Sequence, residues 1–298
     1  MRIPQLIRAL SAPLALEPTT LFRLASVFRR KLAGASFTAA ELHAELGVPM
    51  PDDRPAREQS RVAIIPVYGV ISQHPQSMGA STEAIGAMFA AALGSPNVDS
   101  ILLDVDSPGG TITGVPELAA QIFAGRGVKP ITAIANGLAA SAGYWIAAAA
   151  SKVVVTPSGE AGSIGVYMLH EDWSKNLEQE GIKLTAISAG KFKTEGAPWE
   201  PLTEDAQAFY QAQVTEAYGW FVRDVAQFRS GNWSGTVTPA DVRAGYGEGR
   251  VLTAKDAKAA NLVDQVATFE ATLERLIVAR PKGRRAETRK REVEILAQ

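Results

Sequence analysis

The chain has 298 residues, 46% of them hydrophobic and 20% charged, and a formal net charge of −1. That balance fits a globular protein of one large domain or two small ones, and the near-zero charge gives the whole molecule no footprint for nucleic acid. There is no cysteine, and His43, His74 and His170 form no close-spaced pair. Disulfides, thiolate chemistry and a His/Cys metal site are thereby excluded, and no metal or other cofactor is expected.

The N-terminus carries Arg2 and Arg8 ahead of Ser11-Ala12-Pro13-Leu14-Ala15-Leu16. Pro4, Arg8 and Pro13 interrupt its apolar residues, which a secretory leader would keep continuous. Residues 1–60 read as a helical extension with a linker. Leu21, Leu24, Val27 and Phe28 give helical spacing over Thr20–Leu32, and a second helix is expected over Ser36–Leu46. Pro49–Arg61 is rich in proline and charge and reads as the linker. The three histidines are each expected in a polar or loop-like setting.

The body is expected over residues 61–278. Val62–Val67 is a short, nearly continuous apolar run, as in a strand buried on both faces. Ser81–Leu93 reads as a helix, Asp99–Val105 as a strand, Val115–Ala124 as a helix and Pro130–Ala135 as a strand. A loop of small residues over 136–141 leads into an apolar helix over Tyr144–Ala150, followed by strand Lys152–Thr156. Strands and helices alternating through short connections are the mark of βαβ units and a mainly parallel sheet. Further along, Leu184–Ile187 reads as a strand, Pro201–Phe228 as one long amphipathic helix, and Ala254–Ala260 and Glu270–Val278 as shorter helices. Residues 279–298 form a basic tail whose run at 281–291 reads as a solvated terminus, the alternative being contact with nucleic acid or an acidic partner. The most apolar stretch, Ala139–Ala150, is about 12 residues against the roughly 20 needed to span a bilayer. A soluble, cytoplasmic protein with no membrane anchor is expected.

Ser141 is the most informative residue. It lies in Asn136-Gly137-Leu138-Ala139-Ala140-Ser141-Ala142-Gly143-Tyr144-Trp145. Small neighbours allow close backbone approach, and a hydroxyl at the start of a buried helix sees free N–H groups and the positive end of the dipole. A nucleophile and an oxyanion are both stabilised in such a place; the alternative is an ordinary N-cap serine. Asp106-Ser107-Pro108-Gly109-Gly110 follows a strand and demands a sharp turn with outward N–H groups, able to supply part of an oxyanion hole. Ser158–Val166 is a Gly/Ser-rich turn, and Ala189–Pro198 is a loop containing Lys191 and Lys193. No histidine lies in a plausible motif to serve as base. A lysine serves where burial leaves it neutral, although a single lysine is ordinarily a solvated charge.

These segments together resemble the signal peptide peptidase A type of serine peptidase, the S49 family, including its bacteriophage capsid-protease members. The resemblance is carried by Asp106–Gly110, Ala140–Ala147, Gly162–Val166, Gly190–Lys193 and Gly249–Thr253 through Asp264, in order over about residues 61–268. Ser141-Ala142-Gly143 stands where the family usually shows Ser-Gly-Gly. The resemblance implies a ClpP/crotonase-like α/β fold and a Ser–Lys dyad. Ser141 would be the nucleophile, Lys193 the general base with Lys191 as fallback, and Ser163 the residue orienting the lysine amine. Gly110 and the Ala142 backbone would form the oxyanion hole, with Gly109 shaping the turn. It also implies a homo-oligomeric ring in which neighbouring subunits supply the serine and the lysine.

Pro13-Leu14-Ala15-Leu16-Glu17-Pro18 is similar to the start of phage portal-associated capsid proteases. This favours a head-maturation protease acting on scaffold or capsid proteins, beside portal or procapsid proteins, in the host cytoplasm or the procapsid interior. Two other functions are the alternatives: a cytoplasmic peptidase for signal peptides or membrane fragments, and, with no sequence feature in its favour, a crotonase-like acyl-CoA enzyme or inactive assembly protein using the same fold.

Overall fold

The computed structural model describes residues 13–49, 57–59, 61–75, 79–231 and 235–279. The basic run at 281–291 and most of the linker lie outside the described residues. The N-terminal segment opens with a short strand, β1 (Leu14–Leu16). Helix α1 (Pro18–Leu32) follows; the Glu17 carboxylate caps it by accepting from Thr19 N and Thr20 N at 2.9 Å. Helix α2 (Ala39–Leu46) starts three residues later than its pattern suggests, because Thr38 and Glu41 form a reciprocal capping box; it stops at left-handed Gly47. His43 departs from its expected polar setting: it is a buried helix residue whose Nδ1 meets Pro49 O at 2.9 Å. Within the stretch read as a linker, β2 (Arg57–Gln59) pairs antiparallel with β3 (Val62–Tyr68).

The body then runs α3 (Thr82–Gly94), β4 (Ser100–Ser107), β5 (Gly109–Thr111), α4 (Val115–Gly125), β6 (Ile131–Ala140), α5 (Ala142–Ala148), β7 (Lys152–Val155), β8 (Glu160–Gly162), α6 (Ser174–Gln179), α7 (Glu204–Arg229), α8 (Pro239–Gly245), β9 (Val251–Thr253), α9 (Ala254–Ala259), β10 (Gln265–Val266) and α10 (Phe269–Val278). The main sheet has the order β10-β7-β6-β4-β3-β2, with β8 on the far half of β6 and β9 on β8. All pairs are parallel except β2–β3 and β8–β9. The alternation read from the sequence is therefore borne out as a parallel α/β sheet.

Because successive side chains leave a strand on opposite faces, the apolar runs feed two cores. Ala63, Ile65, Ile101 and Leu103 point into the main core with α3, α4 and α5, whereas Val62, Ile64, Leu102 and Ile134 meet Leu273 of α10 on the other face. Leu14 and Leu16 join a separate cluster with Leu21, Leu24 and Phe28 of α1.

Two further expectations change. Strand β6 runs on through the stretch read as a loop and ends at Ala140, one residue before Ser141. The strand expected at Leu184–Ile187 is absent; residues 178–193 are exposed throughout, so these apolar residues have no sheet edge within one chain. Among the described residues no helix is long and apolar enough to cross a membrane.

Candidate active site

Strand β6 and helix α5 meet at Ser141, which takes φ 54° and ψ −120°. An L-residue there stores strain on the order of 1–3 kcal/mol, so the surroundings must hold it. They do so from both sides. Ser141 N donates to Gly162 O at 2.8 Å, and Trp145 N donates to Ser141 O at 2.9 Å. The rest of α5 is locked in the core. Trp145 stacks on Phe221 with ring centroids 4.3 Å apart and donates through Nε1 to Asp224 at 3.1 Å. Tyr144 donates to Leu262 O at 2.8 Å. At the far end, the Arg126 guanidinium donates to the carbonyls of Ala148, Ala149, Ala150 and Phe228 at 2.6–2.9 Å, satisfying groups that a helix terminus leaves open. Burial, reinforced by the Arg229 cation, pushes Arg126 down to about 10, so it keeps its charge at neutral pH.

The Ser141 side chain makes no capping bond to its own helix. Its Oγ reaches Gly165 O at 3.5 Å, and the residue is 1% exposed. The N–H groups of Ala142 and Gly143 open the helix and have no carbonyl one turn back to bond.

The Pro-Gly-Gly turn packs against this point. A methyl placed on Gly109 would lie 2.2 Å from Ala15 O, 2.9 Å from Ser141 Cβ and 3.0 Å from Ala142 N. One placed on Gly110 would lie 1.9 Å from Ile71 O, so backbone runs against both glycines. Ser107 Oγ donates to Gly69 O at 2.7 Å and accepts from Gly109 N at 3.1 Å, which fixes the turn and leaves Gly110 as its second glycine donor. Gly143 packs closely on the same turn: a methyl there would sit 3.1 Å from both Ser107 Cβ and Ser107 O. Sequence reasoning passed over Ser107 and Gly143 as site residues. Their signal lay inside the quoted motifs, as the hydroxyl before Pro-Gly-Gly and the glycine two after the serine.

Ser163 is buried beside the same strands at φ 55°, its N donating to Arg250 O at 2.7 Å. The fold thus brings Ser141, Gly109, Gly110, Ala142 and Ser163 together. It does not bring in the lysines: Lys191 and Lys193 are exposed, Lys191 Nζ lies 4.7 Å from the centroid of the Phe192 ring, and neither lysine hydrogen-bonds to Ser141 among the described residues. No group of three His, Asp or Glu side chains among the described residues is arranged to hold a metal ion.

The chain is similar to known proteins over most of its body. The family described as Peptidase family S49 matches residues 124–280. Capsid assembly protease C of Escherichia phage lambda is 33% identical over 243 residues, covering 74% of this chain and 54% of that protein. Head-tail preconnector protein GP5 of Enterobacteria phage P21 is 29% identical over 238 residues, covering 74% and 48%. The chain spans about half the length of these curated relatives. Among solved structures, a ClpP1 mutant from Listeria monocytogenes superposes with a TM-score of 0.43 at 16% identity, covering 71% of this chain and 94% of that one.

Proposed function

The chain belongs to peptidase family S49, and from that premise we propose that it is a serine endopeptidase whose Ser141 attacks the peptide carbonyl. The observation that carries this reading is Ser141 itself: a buried hydroxyl in strained backbone at a strand-to-helix junction, facing a turn of two obligatory glycines. A hydroxyl whose only role was to cap the helix would bond the N–H groups of the first turn, and this one does not. In the proposed reaction Lys193 takes the Ser141 proton as Oγ bonds to the carbonyl carbon. Gly110 N–H and Ala142 N–H receive the oxyanion, and Gly109 holds the turn. Collapse expels the amine with that proton and leaves an acyl-enzyme, which water hydrolyses. Ser163 orients the lysine amine.

We assign the lysine to a neighbouring subunit of a homo-oligomeric ring. Lys193 rides on an exposed arm, residues 178–193, that also presents Ile182, Leu184, Ile187 and Phe192 to solvent. Exposed apolar residues in such number are the mark of a protein interface. The phage relatives are named for capsid assembly and for the head-tail preconnector, and on that basis we assign head maturation, with scaffold or capsid proteins as substrates beside portal and procapsid proteins, in the host cytoplasm or procapsid interior.

The test is hydrolysis of peptide or scaffold protein by the wild type, by Ser141→Ala, by Lys193→Ala and by an equimolar mixture of the two variants. Each variant alone should lose at least about a thousandfold in kcat/KM. Ring neighbours that share a site should return about a quarter of the sites in a random mixture. Full activity in Ser141→Ala would sink the reading.

A further inference from the structure

Resting on the peptidase reading above, we infer that residues 14–16 fill the channel in which a substrate strand must lie, so that the N-terminal segment is a built-in inhibitor of the site.

Strand β1 is hydrogen-bonded on both edges. Toward β5 it runs antiparallel, with Ala15 opposite Gly110 and Leu16 opposite Gly109, and Glu17 N donates to Pro108 O at 2.8 Å. Toward the other side, Leu14 N donates to Tyr167 O at 2.9 Å and Tyr167 N donates to Leu14 O at 3.1 Å. The body thus offers two facing backbone edges, β5 and Tyr167, with a gap one strand wide, the arrangement by which an extended peptide is captured. Bonded and non-bonded pairs alternate along an antiparallel ladder. With Glu17 and Pro108 as one bonded site, Ala15 and Gly110 are the next. Gly110 N–H therefore turns to the Ala15 carbonyl, the same donor the mechanism needs for the oxyanion. A methyl on Gly109 would meet Ala15 O, Ser141 Cβ and Ala142 N at once. A main-chain carbonyl of the protein's own N-terminal segment thus packs against the same glycine as Ser141 Cβ and Ala142 N, and Ser141 is 1% exposed with it in place.

The side chains show how the strap is carried. Ala15 joins the main core, while Leu14 and Leu16 belong to the separate cluster with α1, so strap and helix move as one layer. A cavity of about 770 Å³, walled by Leu21, Ala25 and Phe28 on one side and by Tyr167, Trp173 and Tyr210 on the other, leaves that layer only partly packed on the body. The same contacts define the competitor that displaces it: an extended chain with a small side chain at the Ala15 position between two large apolar ones.

Two full-length variants test this. Leu16→Asp places a carboxylate in the apolar cluster and should loosen the strap; if the site is free less than about one-tenth of the time, kcat/KM for a short peptide rises about tenfold. Leu14→Cys with Tyr167→Cys should lock it. The two residues form a bonded antiparallel pair with Cα atoms about 5.5 Å apart, within disulfide reach, and the chain contains no other cysteine to interfere. Oxidation should reduce peptide hydrolysis and fluorophosphonate labelling of Ser141 at least about tenfold below the reduced form, with recovery in thiol. Equal activity of the oxidised and reduced lock, or no rise in Leu16→Asp, in a protein whose wild type hydrolyses peptide, overturns the strap and leaves the peptidase standing. If neither wild type nor any variant hydrolyses peptide or takes the label, the peptidase reading falls and the strap falls with it.

Discussion

Asp106 opens the Pro-Gly-Gly turn from a place that is mostly out of water. Its Oδ1 accepts from Leu138 N at 3.2 Å, and a methyl on Gly137 would lie 2.9 Å from that oxygen. Burial pushes its carboxyl above the ordinary value of 3.8; the Leu138 N–H opposes that and the neighbouring Asp104 adds to it. The folded state therefore holds this proton more tightly than the unfolded chain does. Stability falls as pH rises from 3.8 through the raised value, and at neutral pH the ionised group is a net cost. Asp106→Asn keeps an acceptor for Leu138 N and removes the charge. It should raise the urea midpoint at pH 7, with the gain shrinking as pH drops through the raised value toward 3.8; a midpoint lowered both at pH 7 and near pH 3.8 would contradict the assignment. The residue scale is also where the sequence was most legible. Ser141, Gly109, Gly110, Ala142 and Ser163 lie close together, and small side chains and obligatory turns record such backbone approach directly in the sequence. A capping serine and a nucleophile have the same local sequence, however, and what the sequence could not give is that Ser141 takes φ 54° and makes no capping bond.

Helix α5 has 7 residues and one aromatic pair, too little to hold a strained N-terminus by its own propensity. Arg126 compensates from the C-cap of α4, through four carbonyl acceptors drawn from α5, the turn after it and α7. Arg126→Ala strands these groups and should lower the unfolding free energy by about 2–4 kcal/mol with the m-value unchanged. Arg126→Lys should restore only part of it, since one ammonium cannot match the planar fork of donors. Urea titrations of the three proteins decide the matter, and an Arg126→Ala chain as stable as wild type would refute it. Such long-range caps leave no mark on local pattern, which explains what the sequence did and did not foretell among the elements. The strands of the central sheet announce themselves as continuous apolar runs, since both of their faces are covered. Strand β1 has three residues and is defined only by partners at 109–111 and 167, and the far half of β6 reads as a loop because Asn136-Gly137 interrupts its apolar run. Leu184–Ile187 has the composition of a strand and no edge to pair with.

At the scale of the molecule, the single chain keeps its candidate nucleophile covered and its candidate base on an exposed arm. Ile187 is 99% exposed and Phe192 59%, on the arm that carries Lys191 and Lys193. A net charge of −1 offers little repulsion against self-association, and a large exposed aliphatic side chain gains about 1.5–3 kcal/mol when an interface covers it. If the arm docks on a neighbour, both properties are explained together: the apolar residues are buried and the lysine is delivered across the interface. Ile187→Asp with Phe192→Asp should then shift the sedimenting species from an oligomer toward the 31.6 kDa chain, while far-UV circular dichroism stays unchanged because neither side chain supports the core. Peptide hydrolysis should fall with the oligomer even though Ser141, Lys193 and every glycine of the turn are intact. A wild type that already sediments at 31.6 kDa and hydrolyses peptide would place both halves of the dyad in one subunit and overturn the shared site.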